Sequence, residues 1–402
     1  MKKILLLGAG YANMGLLKSL NEEVLSMAEW KLVNKDSYHC KTIALHDVAS
    51  GKHNRSVLFP LKFALPEGVH FVEDSINYID DKAAYGKEKH EYDYLVVGLG
   101  FSSDNFGIKG VNEYTQNITS YESANGIAKK ILERLESYKI FNDENDLAFI
   151  VCGGGFTGIE FVGSLAQEVR KNCAQMGIDF GLVKIYCIEA MPRILPMFSE
   201  GLLQVALKRL EELGVSVLTN SKILECKEGI VIIEKEGEKQ EILANTIIWT
   251  AGVRGNEVIS NSPFFKSGRS KVEVNNYLQP INQENKMDNI FVIGDCAALK
   301  DPSNGRFYPP TAQIARKQGE YLARILENLL RVEKSGGSFN INTQTTFSFE
   351  PKGSICSIGS GYAVGIIGKK EVQGMVANAA KWFVESGWSY KLEGLPGVFK
   401  AD

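Results

Sequence analysis

Residues 147–160, LAFIVCGGGFTGIE, run from an apolar stretch through a glycine turn into a segment of helical period. Buried strand, Gly-x-Gly-x-x-Gly, helix is the order that a dinucleotide-binding unit requires. Gly153 makes the turn, Gly155 lets backbone approach a pyrophosphate, and Gly158 lets the helix pack on the strand. The helix start, at Phe156 and Thr157, offers free N–H groups to the phosphate charges. A similar order opens the chain. An apolar strand, Lys3–Leu7, leads into Gly8-Ala9-Gly10-Tyr11-Ala12-Asn13 and a helix to about Asn21. Two glycine turns of this kind imply two nucleotide-binding folds rather than one.

The two turns are not equivalent. After the second, the next strand, Val183–Ile188, ends at Glu189. A carboxylate there can accept both ribose hydroxyls of NAD and would repel the 2′-phosphate of NADP. The segment KNCAQMGIDFGL lengthens the usual spacing of ~20 residues. A bland surface acid at a strand end is the competing reading. In the first turn Asn13 replaces the third glycine and is expected to hold the helix slightly off the sheet. Asn34 and Lys35 stand where a ribose-binding acid is usual. Glu160 is read either as an acid complementing the helix dipole or as a group beside the nicotinamide that positions substrate or relays a proton. Ala251-Gly252, after the apolar strand at Ile247, offers another close backbone approach.

Residues 291–319, FVIGDCAALKDPSNGRFYPPTAQIARKQG, add a third signal. An apolar strand ends in Gly294-Asp295, and Pro309-Pro310 opens a helix beginning Thr311-Ala312-Gln313. The partial positive charge at a helix start suits a cofactor that becomes negative when reduced. With Gly98-Leu99-Gly100 after the strand Tyr94–Val97, these features point to a flavin fed by a nicotinamide.

The series GAGYA, YDYLVVGLGFSSDNFGIKG, GGGFTGIEFVG, IIWTAGVRGN, FVIGDCAA and YPPTAQIARKQG, with LHDVASG at Leu45–Gly51, resembles the type II NADH dehydrogenases. These are single-subunit NADH:quinone oxidoreductases that do not pump protons. The resemblance covers nearly the whole chain. It implies FAD, NADH, a membrane quinone as acceptor and a peripheral place on the cytoplasmic face of the cell membrane. It implies FAD contacts at Gly8, Gly10, Tyr11, Ala12, Asn13, Asn34, Lys35, Ile76, Gly98, Gly100, Asp295, Ala312, Gln313 and Lys381. For NADH it implies Gly153, Gly155, Phe156, Thr157, Gly158, Glu160, Glu189, Ala251 and Gly252. Glu160, Gln313 and Gln318 are the implied catalytic residues, the two glutamines bordering the quinone pocket.

The expected fold class is α/β. Two Rossmann-like domains of the FAD/NAD-linked reductase type are joined by a small C-terminal membrane-facing region. The FAD domain is expected at 1–115 and 270–340, the NADH domain at 145–262 and the C-terminal region at 341–402. Composition agrees with a globular enzyme: 402 residues, 44% hydrophobic, 23% charged, net charge −3. That balance gives no reason to expect nucleic acid. The seven cysteines form no CxxC pair, which argues against a disulfide framework, a metal site and a disulfide-reductase centre. No stretch reaches the ~20 apolar residues of a spanning helix. Met375–Tyr390 reads as an amphipathic helix interrupted at Gly387, with Asn378, Lys381, Glu385 and Ser389 on one stripe. Its Trp382, Trp388 and Tyr390 are expected at lipid headgroup depth. A soluble acceptor, as in ferredoxin reductases, and a non-catalytic NADH-sensing flavoprotein are the alternatives; a homodimer stays open.

Overall fold

The computed structural model describes residues 1–52, 56–281 and 287–400. One sheet is wholly parallel, in the order Ile290–Val292, Tyr94–Val97, Lys2–Leu7, Ala28–Asn34, Val69–Glu73. A second parallel sheet runs Gln116–Asn117, Thr246–Trp249, Ala148–Cys152, Lys184–Ile188, Val215–Leu218. Strands covered on both faces read as unbroken apolar runs, and all five residues of Ala148–Cys152 are buried. In each sheet the strand feeding the glycine turn is central. The turn therefore opens at the carboxyl edge, where such sheets bind ligands.

The chain leaves the first sheet after Tyr94–Val97, builds the second, and returns to pair Ile290–Val292 with the strand it left. The outgoing and returning segments lie together as an antiparallel pair, Phe101–Ser103 with Val253–Gly255. The last part of the chain forms an antiparallel sheet, Gly353–Ser357, Ala363–Ile367 and Lys370–Gln373, followed by the helix Gly374–Glu393.

Ile230–Lys235 is the middle strand of an antiparallel meander with Ser221–Lys227 and Glu238–Leu243. The second hairpin turns at Glu236 and Gly237, both at positive φ, the backbone pattern of a tight two-residue turn. The first helix spans Tyr11–Leu17, and Asn21 caps a separate short helix by accepting the Val24 N–H. LHDVAS is a helix, Leu45–Ser50, closed by Gly51 in the left-handed region. Gly387 does not interrupt the C-terminal helix; one glycine costs a helix ~1 kcal/mol, which tertiary packing can override.

The helix Tyr11–Leu17 crosses the long helix Ala312–Lys334 at very short range. A Cβ placed on Gly319 would lie 2.0 Å from the Ala12 carbonyl oxygen, and one on Gly15 would lie 3.0 Å from that of Arg316. Asn13 stands where such a turn usually has its third glycine. Its Nδ2 donates to Leu7 O at 2.8 Å and to Gly8 O at 2.7 Å, tying the helix to the strand. Gly98 provides the room, since a Cβ there would meet Asn13 Nδ2 at 2.8 Å.

Gly319→Val should therefore lower unfolding free energy by about 3 kcal/mol, the upper end for overpacking, because the obstacle is backbone. Gly126→Ala, in the helix Tyr121–Phe141 with nothing within 4 Å of the added carbon, should instead be neutral or stabilising by about 0.5–1 kcal/mol. Denaturant titration of both variants checks the contrast; equal effects would remove the crossing as a constraint.

Candidate functional site

A cavity of about 660 Å³ opens at the edge of the first sheet, lined among others by Gly8, Gly10, Asn34, Lys35, Ile76, Gly98 and Gly100. Gly8 has φ +89°, and a Cβ there would meet the Gly98 carbonyl at 2.5 Å. Asn34 accepts the Ala9 N–H at 2.9 Å and donates to Asp36 O at 2.8 Å, so its amide shapes the glycine turn. Lys35 is exposed at the rim. The Tyr11 side chain, expected to serve the cofactor, packs between His39 and Trp388, each ring 5.2 Å away. Ala12 and Asn13 are buried in the helix crossing.

Asp295 lies between Gly294, which packs on Ala12, and Cys296, whose thiol donates to Gly100 O at 3.3 Å. Among the described residues its carboxylate has no hydrogen-bond donor. Burial raises its carboxyl above the ordinary range, and the charge of Lys271 only partly offsets this. A half-buried acceptor without a protein partner, beside a glycine-walled cavity, fits the polyol of FAD, whose hydroxyls can donate to it. Ala312 begins the long helix, capped by Thr311, whose hydroxyl accepts the Ile314 N–H. Gln313 accepts the Lys352 N–H at 3.0 Å through Oε1, and its amide N–H groups have no partner among the described residues. Gln318 is 2% exposed, and its Oε1 accepts the Gly294 N–H at 2.7 Å, so it holds the Gly294-Asp295 turn.

The second turn is built for close approach. A Cβ on Gly158 would meet Gly153 O at 1.9 Å, whereas one on Gly155 would meet nothing. Gly155 and Thr157 are exposed at the start of the helix Phe156–Met176, and Phe156 stacks edge-on to Phe198. Glu189 reaches back to this turn, accepting Gly154 N–H at 2.7 Å and Met191 N–H at 2.8 Å. Ala251 lies against Gly153, and the ring of Phe106 covers Gly252.

Glu160, on the same helix, and Lys381, on the C-terminal helix, form a buried ion pair. Glu160 also accepts the Ser357 N–H at 3.0 Å and its hydroxyl at 3.1 Å. This meeting depends on Gly163, where a Cβ would lie 2.6 Å from Gly359 N and displace the turn after Ser357. Burial alone would raise the Glu160 carboxyl. The positive charge of Lys381, the His46 ring and the Ser357 donors hold it below the usual carboxylate range. Burial alone would lower Lys381, but Glu160 and Glu385 hold its ammonium above its ordinary value. The network continues through Glu385 to Lys41 at 3.8 Å, and from His46 to Asp47, which pairs with Lys52 at 3.1 Å. Burial works against the Asp47 charge, yet His46 and Lys52 lower its carboxyl to about 2.

The C-terminal helix turns its polar stripe inward. Lys381, Glu385 and Ser389 face the protein, while Met375, Val376, Trp382, Phe383, Val384 and Tyr390 are exposed, Val376 and Phe383 at 69% each. Trp388 corrects the expectation of headgroup depth. It is 3% exposed, and its indole N–H donates to His39 Nε2 at 3.0 Å. His39 is wholly buried, and that burial lowers its pKa to about 4, so the ring is neutral.

Residues 2–319 match the family model described as pyridine nucleotide-disulphide oxidoreductase. The chain is 35% identical to the type II NADH:quinone oxidoreductase of Staphylococcus aureus (strain NCTC 8325 / PS 47), across 99% of this chain and 98% of that protein. The chain belongs to the type II NADH:quinone oxidoreductases. Its fold is also that of NDH2 from Plasmodium falciparum solved with NADH, at TM-score 0.88 and 20% identity, covering 99% and 96% of the two chains. The sulfide:quinone oxidoreductase of Aquifex aeolicus is similar at TM-score 0.77 and 19% identity, covering 98% and 92%.

As a member of this family the oxidoreductase uses FAD and NADH and passes electrons to a quinone without pumping protons. Type II enzymes are peripheral membrane proteins. Among the described residues of this oxidoreductase no helix is long and apolar enough to cross a membrane. All seven cysteines are free, and six are buried. Sequence reasoning missed His39, Ser357, His46 and Asp47 in the site. Only the stripe Lys381, Glu385, Ser389, at helical spacing beside a tryptophan, carried a signal that the helix has an inner polar face.

Lys381→Met should destabilise this oxidoreductase by about 3–5 kcal/mol, because it strands a buried carboxylate. The double variant Lys381→Met/Glu160→Gln should recover most of that loss. Thermal or denaturant unfolding checks it; a double variant no better than the single would count against an energetically coupled pair.

Proposed function

We propose that residues 1–115 and 270–340 form the FAD domain, 145–262 the NADH domain, and 341–402 a region that closes the site and meets lipid. The observation that carries the reading is Asp295, a half-buried carboxylate with no donor among the described residues. The Gly8–Gly10 turn, Asn34, Lys35, Ile76, Gly98 and Gly100 would receive the nucleotide end of FAD, and Asp295 its ribityl hydroxyls. FAD supplies the two-electron chemistry between NADH and the quinone.

The chain's residues orient and exclude. Backbone N–H groups at Gly155–Gly158 bind the NADH pyrophosphate. The Glu189 oxygens, already fixed by Gly154 and Met191, keep lone pairs for the ribose hydroxyls and repel a 2′-phosphate. Ala251, packed on Gly153, would border the nicotinamide, while the bare Cα of Gly252 makes room for the Phe106 ring. The helix start at Ala312-Gln313 steadies negative charge on the cofactor side. Gln318 serves as a positioning residue through the Gly294 N–H. Lys381 Nζ carries a proton beside Glu160 and Ser357, and the pair is the proposed proton store for the acceptor side. None of these steps calls on a second copy of the chain. Because NADH is a water-soluble reductant of the cell interior, the cytoplasmic face is the proposed location.

Two half-reactions test the reading. Under anaerobic conditions NADH should bleach the bound flavin, and a quinone analogue should restore its colour. Bleaching without reoxidation by any quinone would favour a soluble acceptor. Asp295→Ala should weaken FAD binding about 10- to 100-fold, the loss of a charged hydrogen-bond acceptor worth ~1.5–3 kcal/mol. Flavin fluorescence titration measures it; wild-type affinity in this variant would remove Asp295 from the site.

The exposed apolar face of the C-terminal helix is the proposed lipid contact. Val376→Lys/Phe383→Lys should leave the fold intact, since both side chains are exposed. It should lower vesicle partitioning about tenfold or more, because each side chain forfeits ~1.5–3 kcal/mol of apolar burial. Reduction of a long-chain quinone in vesicles should fall with it, and reduction of a soluble dye should not. Unchanged sedimentation with vesicles would place the lipid contact elsewhere.

A further inference from the structure

His39 sits on the short strand Tyr38–Cys40, wholly buried, outside every sequence motif of the site. Its two ring nitrogens bridge distant parts of the chain. Nε2 faces the Trp388 indole at 3.0 Å, and Nδ1 faces Ala9 O at 2.7 Å. An indole nitrogen only donates, so Nε2 accepts; Nδ1 then carries the proton and donates to Ala9. Ala9 is the middle residue of the Gly8-Ala9-Gly10 turn. Its N–H is held by Asn34 Oδ1 at 2.9 Å and its C=O by His39. A residue tied at both its amide and its carbonyl has little freedom to rotate the peptides on either side. The Tyr11 ring, edge-on to His39 at 89° and 5.2 Å from Trp388, fills the space between them.

We propose that His39 is a positioning residue for the flavin, and that Trp388, His39 and Tyr11 form a buried clasp through which the C-terminal helix fixes the Gly8–Gly10 turn in its FAD-receiving shape. This rests on the reading that the turn receives FAD. The clasp raises affinity by removing freedom from the turn before the cofactor binds. One helix thus has two tasks: its outer face is exposed and apolar, and its inner face holds the cofactor turn through a side chain near its end. Removing the helix would release FAD as well as change the outer surface, so truncation cannot separate attachment from cofactor loss.

Release of FAD from diluted holoenzyme, read as the rise of free-flavin fluorescence, tests the clasp. Trp388→Phe keeps the ring but deletes the N–H, and should speed release about tenfold. His39→Phe should do at least as much. His39→Gln keeps one donor and one acceptor at similar separation, and should stay within about threefold of wild type. The affinity for NADH should match wild type in all three, and the faster release should exceed what any lowering of the unfolding midpoint of FAD-stripped protein accounts for. Wild-type release in Trp388→Phe and His39→Phe would overturn the clasp. So would faster release that only tracks a lowered midpoint, with His39→Gln no better than His39→Phe. Gly10→Val separates the two readings. If it loses FAD while the clasp variants do not, the clasp alone falls; if it too keeps FAD, the assignment of the turn falls.

Discussion

The contact between Gly319 and the Ala12 carbonyl governs the geometry around the first parallel sheet. The two residues belong to helices separated by most of the chain, and no side chain fits between them. Their crossing carries the start of the long helix to the edge of the first sheet. It also brings Gly294 against Ala12 and Gln318 against the Gly294 N–H. Asp295 is thereby presented beside the first glycine turn although it arrives on the last strand to join the sheet. Close packing of backbone on backbone is stiff, so the relative position of turn, carboxylate and helix start is set before any ligand binds.

The buried ion pair Glu160–Lys381 has a different character. Taking two charges out of water is expensive, and their attraction rarely returns more than it costs. Here Ser357 contributes two further hydrogen bonds, and Glu385 and His46 extend the network. Such an arrangement is poor as a source of stability and good as a means of registration. It joins the helix Phe156–Met176 to the C-terminal helix in one geometry, and it retains a charged group where an apolar pair would pack as well.

How much of this was legible in the sequence depended on whether a feature is local. Gly153–Gly158 and Gly8–Gly10 were readable because a strand, a turn and a helix follow one another within a few residues. The return strand at Phe291 was readable for the same reason. The bonds of Asn13 were not readable because its amide partners, Leu7 O and Gly8 O, come within reach only when the helix folds back over the strand. The bond from Gly294 N–H to Gln318 was not readable, because a motif gives order along the chain and not direction in space. His39 left no trace: nothing in its neighbourhood announces a bond to a tryptophan hundreds of residues away. The C-terminal helix was recognised by its period, but period alone does not say which face is inside, and the polar face proved to be the inner one.

That inversion has a mechanical consequence. A helix whose charged stripe is locked to Glu160 and whose tryptophan is locked to His39 cannot swing on a hinge or peel away to search for a surface. Its exposed apolar side chains are carried as a rigid plate, at an angle inherited from the antiparallel sheet of Gly353–Ser357, Ala363–Ile367 and Lys370–Gln373 on which it packs. Whatever that plate rests on is met in a single orientation, set by the body of the protein rather than by a flexible tether.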